Sequence, residues 1–185
     1  MNAVELLKQY EAGIRNFSAI DLPSAIFKNT NLFQINFTQA SLIEADFSGA
    51  NLAQSILYQA VLDLSNLSEA KLTQANLEMA SLKSALLYKT SFAKAQLSKA
   101  NLNQAILKRG FFREANLSQA KLVDADLSQA NLIDANLSGA NLTNANLDKA
   151  FLQGANLAQA FVSEDSLKGA VLTGAIMPNG SVFSQ

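Results

Sequence analysis

A large apolar residue returns every fifth position along most of this chain, and that interval suits neither of the common secondary structures. From Phe17 to Met177 the series Phe17, Leu22, Phe27, Leu32 and onward is Leu or Phe in 31 of 33 cases, with Val162 and Met177 the exceptions. On an α-helix a step of five advances about 140° beyond a full turn, which spreads the series around the whole circumference. On a flat strand an odd interval sends successive members to opposite faces. All of them are buried only if the backbone turns a corner in each five-residue unit, so that every large side chain points to the axis of a coil.

The remaining positions agree with such a coil. Two residues before the large one, 24 of the 33 units carry Ala, small enough to share the interior. Between the two stands most often Asn, Asp or Ser, as in Ala115-Asn116-Leu117 and Ala135-Asn136-Leu137. These residues, with Gly, suit corners because they tolerate or stabilise turn conformations. Gly49, Gly139, Gly154, Gly169 and Gly174 all fall two residues after the large one, which predicts a positive φ at that position.

The motif resembles the pentapeptide-repeat family, whose pattern is A(D/N)LXX. The resemblance implies an all-β fold: a right-handed quadrilateral β-helix with four repeats per coil. On that reading the 33 repeats make about eight coils, and at ~4.8 Å between neighbouring strands the solenoid is roughly 40 Å long. Phe92 and Phe112 stand four repeats apart with Leu102 halfway, which agrees with aromatic rings stacking on one face, as do the pairs Phe17/Phe37 and Phe27/Phe47. The long uninterrupted runs and the ending Gly174-Ala175-Ile176-Met177-Pro178-Asn179-Gly180 look like cyanobacterial members. The expected organisation is a capping helix over 1–15, the solenoid over 16–177 and a tail over 178–185.

A solenoid has two open ends that need covering. At the first, Leu6, Leu7, Tyr10 and Ile14 follow i, i+3/i+4 spacing and predict a short amphipathic helix laid over the first coil. At the second, Pro178-Asn179-Gly180 signals a turn, after which Val182 and Phe183 fold back onto the last coil or leave an edge that favours a tail-to-tail homodimer.

The composition argues against catalysis. The chain has neither His nor Cys, so the usual zinc ligands, the commonest general base near neutral pH and the best protein nucleophile are missing. No catalytic residue, metal or cofactor is expected. Asp124, Asp126 and Asp134 read as solubilising surface charge, and Glu164-Asp165, with an acid where Ala belongs, as a loosening of the last coils. No apolar run approaches the length of a membrane span and no secretory signal is evident, which makes the cytoplasm the expected location. No insertion disturbs the five-residue count, so no projecting loop is expected.

Specificity must then lie in the outward positions. From Lys83 to Arg113 the chain holds Lys83, Lys89, Lys94, Lys99, Lys108, Arg109 and Arg113 and no acid, which predicts a basic belt. The consensus also fails there: Leu86 and Ile106 replace Asn or Asp, and Thr90 and Gly110 replace Ala. With four repeats per coil Leu86 lies over Ile106, Tyr88 over Lys108 and Lys89 over Arg109, with Phe111 around the corner. Exposed apolar groups beside Tyr and Arg have the composition of binding hot spots. Leu86, Tyr88, Lys89, Ile106, Lys108, Arg109 and Phe111 are therefore the candidate contact face for a protein partner. Two further divergent clusters are Ile56, Tyr58, Val61 and Leu64, and Phe151, Phe161 and Val171. Nucleic acid and membrane are not expected as partners, since the cations form no continuous stripe and the net charge is −1. The other role the family resemblance implies is protection or inhibition of DNA gyrase by DNA mimicry, from which this chain departs in charge and in its lack of loops.

Overall fold

The computed structural model describes residues 1–184. Its body is a stack of parallel coils in which the residue just before a large apolar one is bridged to its counterpart four repeats further on, from Asn16↔Asn36 to Asn156↔Ile176, with one gap after Asn146. The bridges form four ladders, which begin at Asn16, Asp21, Ile26 and Asn31 and are named here by those residues. With four repeats to a turn, the span from Asn16 to Ile176 makes eight coils. Each repeat contributes one bridged residue and then turns, so the sheets consist of single bridges stacked along the axis and no longer strand forms.

The repeat at Phe37 accounts for how its backbone donors are satisfied. Phe37 N–H donates to Ile56 O and Gln39 N–H to Tyr58 O in the next coil, while Ser41 N–H donates back to Ile20 O. Ala40 N–H closes the corner onto Phe37 O. The fifth donor, Thr38 N–H, is taken by the side chain of Asn36 at 2.9 Å. The same Asx contact recurs at Asp46, Asn66, Asn76, Asn116, Asn136 and Asn156. Asn and Asp occupy that position because the corner otherwise leaves one N–H without an internal acceptor.

The corner has a positive φ at its third residue, the mark of a type II turn. From Ala19 to Gln159 every residue two after the large one has φ between 54° and 67°. Most are not glycine, although the left-handed region costs an ordinary residue about 1–2 kcal/mol. Two or more backbone hydrogen bonds per corner hold them there. The conformation expected from the glycines is therefore general at this position up to Gln159; beyond it Glu164, Gly169 and Asn179 lie outside the positive-φ region, and Gly169 is the one exception among the five glycines.

That exception has a local cause. A four-residue helix, named α2 below and spanning Glu164–Leu167, is capped by Ser163, whose side chain accepts from Ser166 N–H. It removes the bridge that Ser166 would make to Asn146. Leu167 stays buried, so the five-residue count survives while the backbone leaves the ladder. The expected loosening of the last coils takes this form, with Asp165 paired to Lys168 at 2.6 Å.

Inside, the Leu, Phe and Ala columns form one continuous core. Phe27/Phe47 and Phe92/Phe112 stack at 5.0 Å between ring centroids. Phe17/Phe37 do not stack but lie tilted at 6.3 Å.

The first end is covered by α1, Ala3–Glu11, with a capping box between Asn2 and Glu5. Leu6 and Tyr10 are buried and Leu7 is partly so. Tyr10 Oη donates to Phe33 O at 2.9 Å, and Arg15 clamps the helix end by donating to Tyr10 O and stacking on its ring. Ile14 departs from its expected place in the apolar stripe. The helix ends before it at Ala12 and Gly13 (φ 95°), and Ile14 is 47% exposed. At the other end the tail folds back: Phe183 N–H donates to Ala175 O and its carbonyl accepts from Gly174 N–H, beside an antiparallel bridge between Ile176 and Val182. Of the two courses open to the tail this is the fold-back, and it covers part of the edge that would otherwise favour a tail-to-tail dimer. Among the described residues no helix is long and apolar enough to cross a membrane.

Candidate functional site

The seven candidate residues lie along one edge of the solenoid, where the Ile26 face turns into the Asn31 face. Leu86 and Ile106 are bridged neighbours on the Ile26 face, 43% and 42% exposed. Phe111 stands on the Asn31 face, 48% exposed. Tyr88, Lys89, Lys108 and Arg109 occupy the corner between them. Arg109 Nη1 donates to Tyr88 Oη at 3.3 Å, and its Nε donates to Gln129 Oε1 at 2.8 Å. The Lys89 ammonium lies 5.2 Å from the centre of the Tyr88 ring. The Arg109 hydrogen bond, helped by the charge of Lys89, holds the Tyr88 phenol below its ordinary value, with partial desolvation acting the other way.

The apolar substitutions on this edge carry a cost that the frame makes visible. At most Asn or Asp positions the side chain accepts the N–H two residues on. With Leu86, Ile106 and Phe111 in those places, no side-chain acceptor faces the N–H groups of Tyr88, Lys108 and Arg113 among the described residues. Each lost contact is worth about 1 kcal/mol.

One expectation about the surroundings changes. The belt from Lys83 to Arg113 is not uniformly basic, because acids one coil away pair with it, Lys89 with Glu69 at 3.9 Å, Lys94 with Glu114 at 3.5 Å and Arg113 with Asp134 at 3.9 Å, and Arg113 also pairs with its chain neighbour Glu114. Lys83, Lys99, Lys108 and Arg109 make no ion pair among the described residues. Thr90 and Gly110 keep the interior place of the Ala they replace. Thr90 is buried and donates to Leu67 O at 2.7 Å, and Gly110 leaves room for the Phe112 ring.

The third divergent cluster is divided by the fold. Phe151 bridges Val171 on the Asn31 face, whereas Phe161 bridges Asn141 on the Asp21 face. Phe151 instead shares a groove with the candidate edge. Its corner wall is Lys89, Arg109, Gln129 and Lys149, and its face wall runs Phe111, Asn131, Phe151. Lys149 and Phe151 were not among the expected site residues. They stand two coils along from Arg109 and Phe111, at an interval of eight repeats that was present in the sequence. Ile56 and Leu64 of the remaining cluster are exposed but lie on other parts of the body. Among the described residues no group of three or more His, Cys, Asp or Glu side chains converges to hold a metal ion.

A family model described as pentapeptide repeats matches in 8 copies, over residues 30–68, 65–104, 95–132, 112–148 and 135–174. Among solved structures, HetL, a pentapeptide repeat protein involved in heterocyst differentiation regulation from the cyanobacterium Nostoc sp. strain PCC 7120, shares 31% identity over 99% of this chain and 100% of its own, with a TM-score of 0.46. A trypsin-treated form of QnrB1, a plasmid-mediated fluoroquinolone resistance protein, aligns at 18% identity over 90% of this chain and 88% of its own, with a TM-score of 0.53. Rfr23, a pentapeptide repeat protein from the cyanobacterium Cyanothece 51142, shares 24% identity over 80% of this chain and 92% of its own, with a TM-score of 0.31. No curated protein matches the sequence.

Proposed function

The chain belongs to the pentapeptide-repeat family, and from that premise we propose that it is a non-catalytic regulatory scaffold of the cytoplasm that presents one edge of a right-handed quadrilateral solenoid to a protein partner. The contact face is Leu86, Tyr88, Lys89, Ile106, Lys108, Arg109 and Phe111. One observation carries this reading. Leu86 and Ile106 are bridged neighbours and Phe111 stands across the corner from them, each more than 40% exposed, and each stands where Asn or Asp would satisfy a backbone donor. A frame this regular gains nothing internal from the exchange. A partner that covers the three side chains beside Tyr88 and Arg109 recovers it, and Tyr and Arg are the residues that dominate binding hot spots.

Protection of gyrase by mimicry of DNA requires an acidic surface, and the unpaired cations Lys108 and Arg109 on the most divergent edge work against it. The fold shared with QnrB1 is a likeness of architecture alone.

The test is affinity capture from a lysate of the source organism. A Lys89→Glu/Arg109→Glu variant with an unchanged β signal is expected to lose the captured partner. Retention of the same partner at the same yield overturns the contact face.

A further inference from the structure

The groove that continues from the candidate edge differs from the rest of the surface in how its central cation is held. Arg109 spends Nε–H on Gln129 and one Nη1–H on Tyr88. A guanidinium has five N–H donors, so three remain, on a group fixed from both sides by neutral partners. Its charge is not compensated. Its neighbours along the edge differ: Lys89 is paired with Glu69, and Lys149 lies 3.7 Å from Asp148. The uncompensated positive charge is therefore confined to Arg109 and the adjacent Lys108, with an acid beyond each end.

Beside Arg109 runs the aromatic wall. Phe111 bridges Asn131 and Asn131 bridges Phe151, so the two phenyl groups rise from one face two coils, or about 9.6 Å, apart. The thickness of the rings leaves a gap about 6 Å wide, enough for one inserted side chain. Asn131 forms its floor, with its Oδ1 turned down to accept from Ile133 N–H at 3.1 Å.

From this juxtaposition we propose that the groove takes a short acidic and apolar peptide segment, with an Asp or Glu carboxylate on Arg109 and a neighbouring Leu or Phe side chain between Phe111 and Phe151. The proposal rests on the scaffold reading above and names the chemistry of its partner. A carboxylate matches the three remaining donors, which can bind it in a bidentate pair. The aromatic gap accepts one apolar group and excludes water from the pair beside it. A nucleic-acid strand fits less well, because a continuous phosphate backbone laid along this edge would meet Glu69 at one end and Asp148 at the other.

The experiment is selection of a phage-displayed random heptapeptide library on the immobilised full chain, followed by fluorescence anisotropy of the enriched peptides. The expected result is enrichment of sequences that place an acid within two residues of Leu or Phe. Binding should weaken about tenfold in Arg109→Gln and several-fold in Phe151→Ala, in line with single contacts of this kind, and several-fold in Lys149→Glu, which adds a second acid beside Asp148 at the groove and repels an acidic peptide. Each variant keeps the wild-type circular dichroism, since all three side chains are at the surface. Failure to enrich any sequence, enrichment of acidic peptides lacking an apolar residue, or binding indifferent to Phe151→Ala overturns the proposal. So does displacement of the enriched peptides by an oligothymidylate of similar length. Failure here is separable from failure of the scaffold reading: if native-partner capture falls with Lys89→Glu/Arg109→Glu but not with Phe151→Ala or Lys149→Glu, the edge stands and the groove occupant does not.

Discussion

The Phe112 ring occupies the space a side chain on Gly110 would need: a Cβ built there would lie 2.6 Å from Phe112 Cε2 and 2.9 Å from Leu107 O. The consensus of the repeat at this point is Ala followed two residues later by Leu, and the pair Gly110/Phe112 exchanges volume between the two positions. Gly110→Ala alone is expected to lose about 2–3 kcal/mol by overpacking, and Phe112→Leu alone about 1–2 kcal/mol by leaving a cavity against Phe92. The double variant restores the consensus and should be more stable than Gly110→Ala. Chemical denaturation of the four proteins measures the coupling. Strict additivity would mean that the two positions do not share one space.

Exposed apolar residues at the Asx position make stability and binding trade against each other. In Ile106→Asn the new carbonyl can accept Lys108 N–H, as Asn136 accepts Ser138 N–H at 3.1 Å. The expected gain is about 0.5–1 kcal/mol, with a matching loss in Asn136→Ala. The same Ile106→Asn change should weaken partner capture. A melting midpoint that falls in Ile106→Asn would show that the side chain has a structural task at this corner.

The frame was legible because a five-residue count buries every Leu and Phe only if the chain turns a corner in each repeat, while four repeats to a coil came from the family resemblance; the bridges from Asn16 to Ile176 keep both. What escaped was whatever does not alter it. The helix α2 preserves the position of Leu167, so the break at Glu164-Asp165 was legible as a loosening of the last coils but not as a helix. The ion pairs of Lys89 and Arg113 escaped because their partners Glu69 and Asp134 lie outside the acid-free run in sequence, yet only one coil off in space. Lys149 and Phe151 were separated from Arg109 and Phe111 by an unremarkable coil, whose Gln129 and Asn131 follow the consensus.

Tyr88 reports on the geometry at Arg109. Its phenol is held below the ordinary value of 10.0, first by the hydrogen bond from Arg109 and then by the charges of Lys89 and Arg109. A tyrosinate absorbance titration should contain a component that moves upward in Arg109→Gln and moves less in Lys89→Gln. The sign for stability follows. A lowered value in the folded state favours the folded protein above the ordinary value of 10.0, and that contribution is lost as the pH falls through the folded value. A titration identical in wild type and Arg109→Gln would mean that the contact is absent in solution, and with it the side-on support of the guanidinium.

The two ends of the coil are closed by different means, and this predicts different responses to mutation. At the first end Leu6 is fully buried against the first coil and Tyr10 Oη bonds to the Phe33 carbonyl. Leu6→Ala should cost about 3 kcal/mol through the cavity and the lost transfer term. At the second end the tail is held mainly by backbone bonds of Phe183 to Ala175 and Gly174, and Phe183 is only partly buried. Phe183→Ala should cost less, about 1 kcal/mol. Because neighbouring coils are coupled only to each other, the damage is local at first. Amide exchange should accelerate in residues 16–36 of the Leu6 variant and in the last coil of the Phe183 variant, with the middle coils unchanged. Uniform acceleration along the whole chain in either variant would show that the solenoid unfolds as a single unit and that the caps guard all eight coils together.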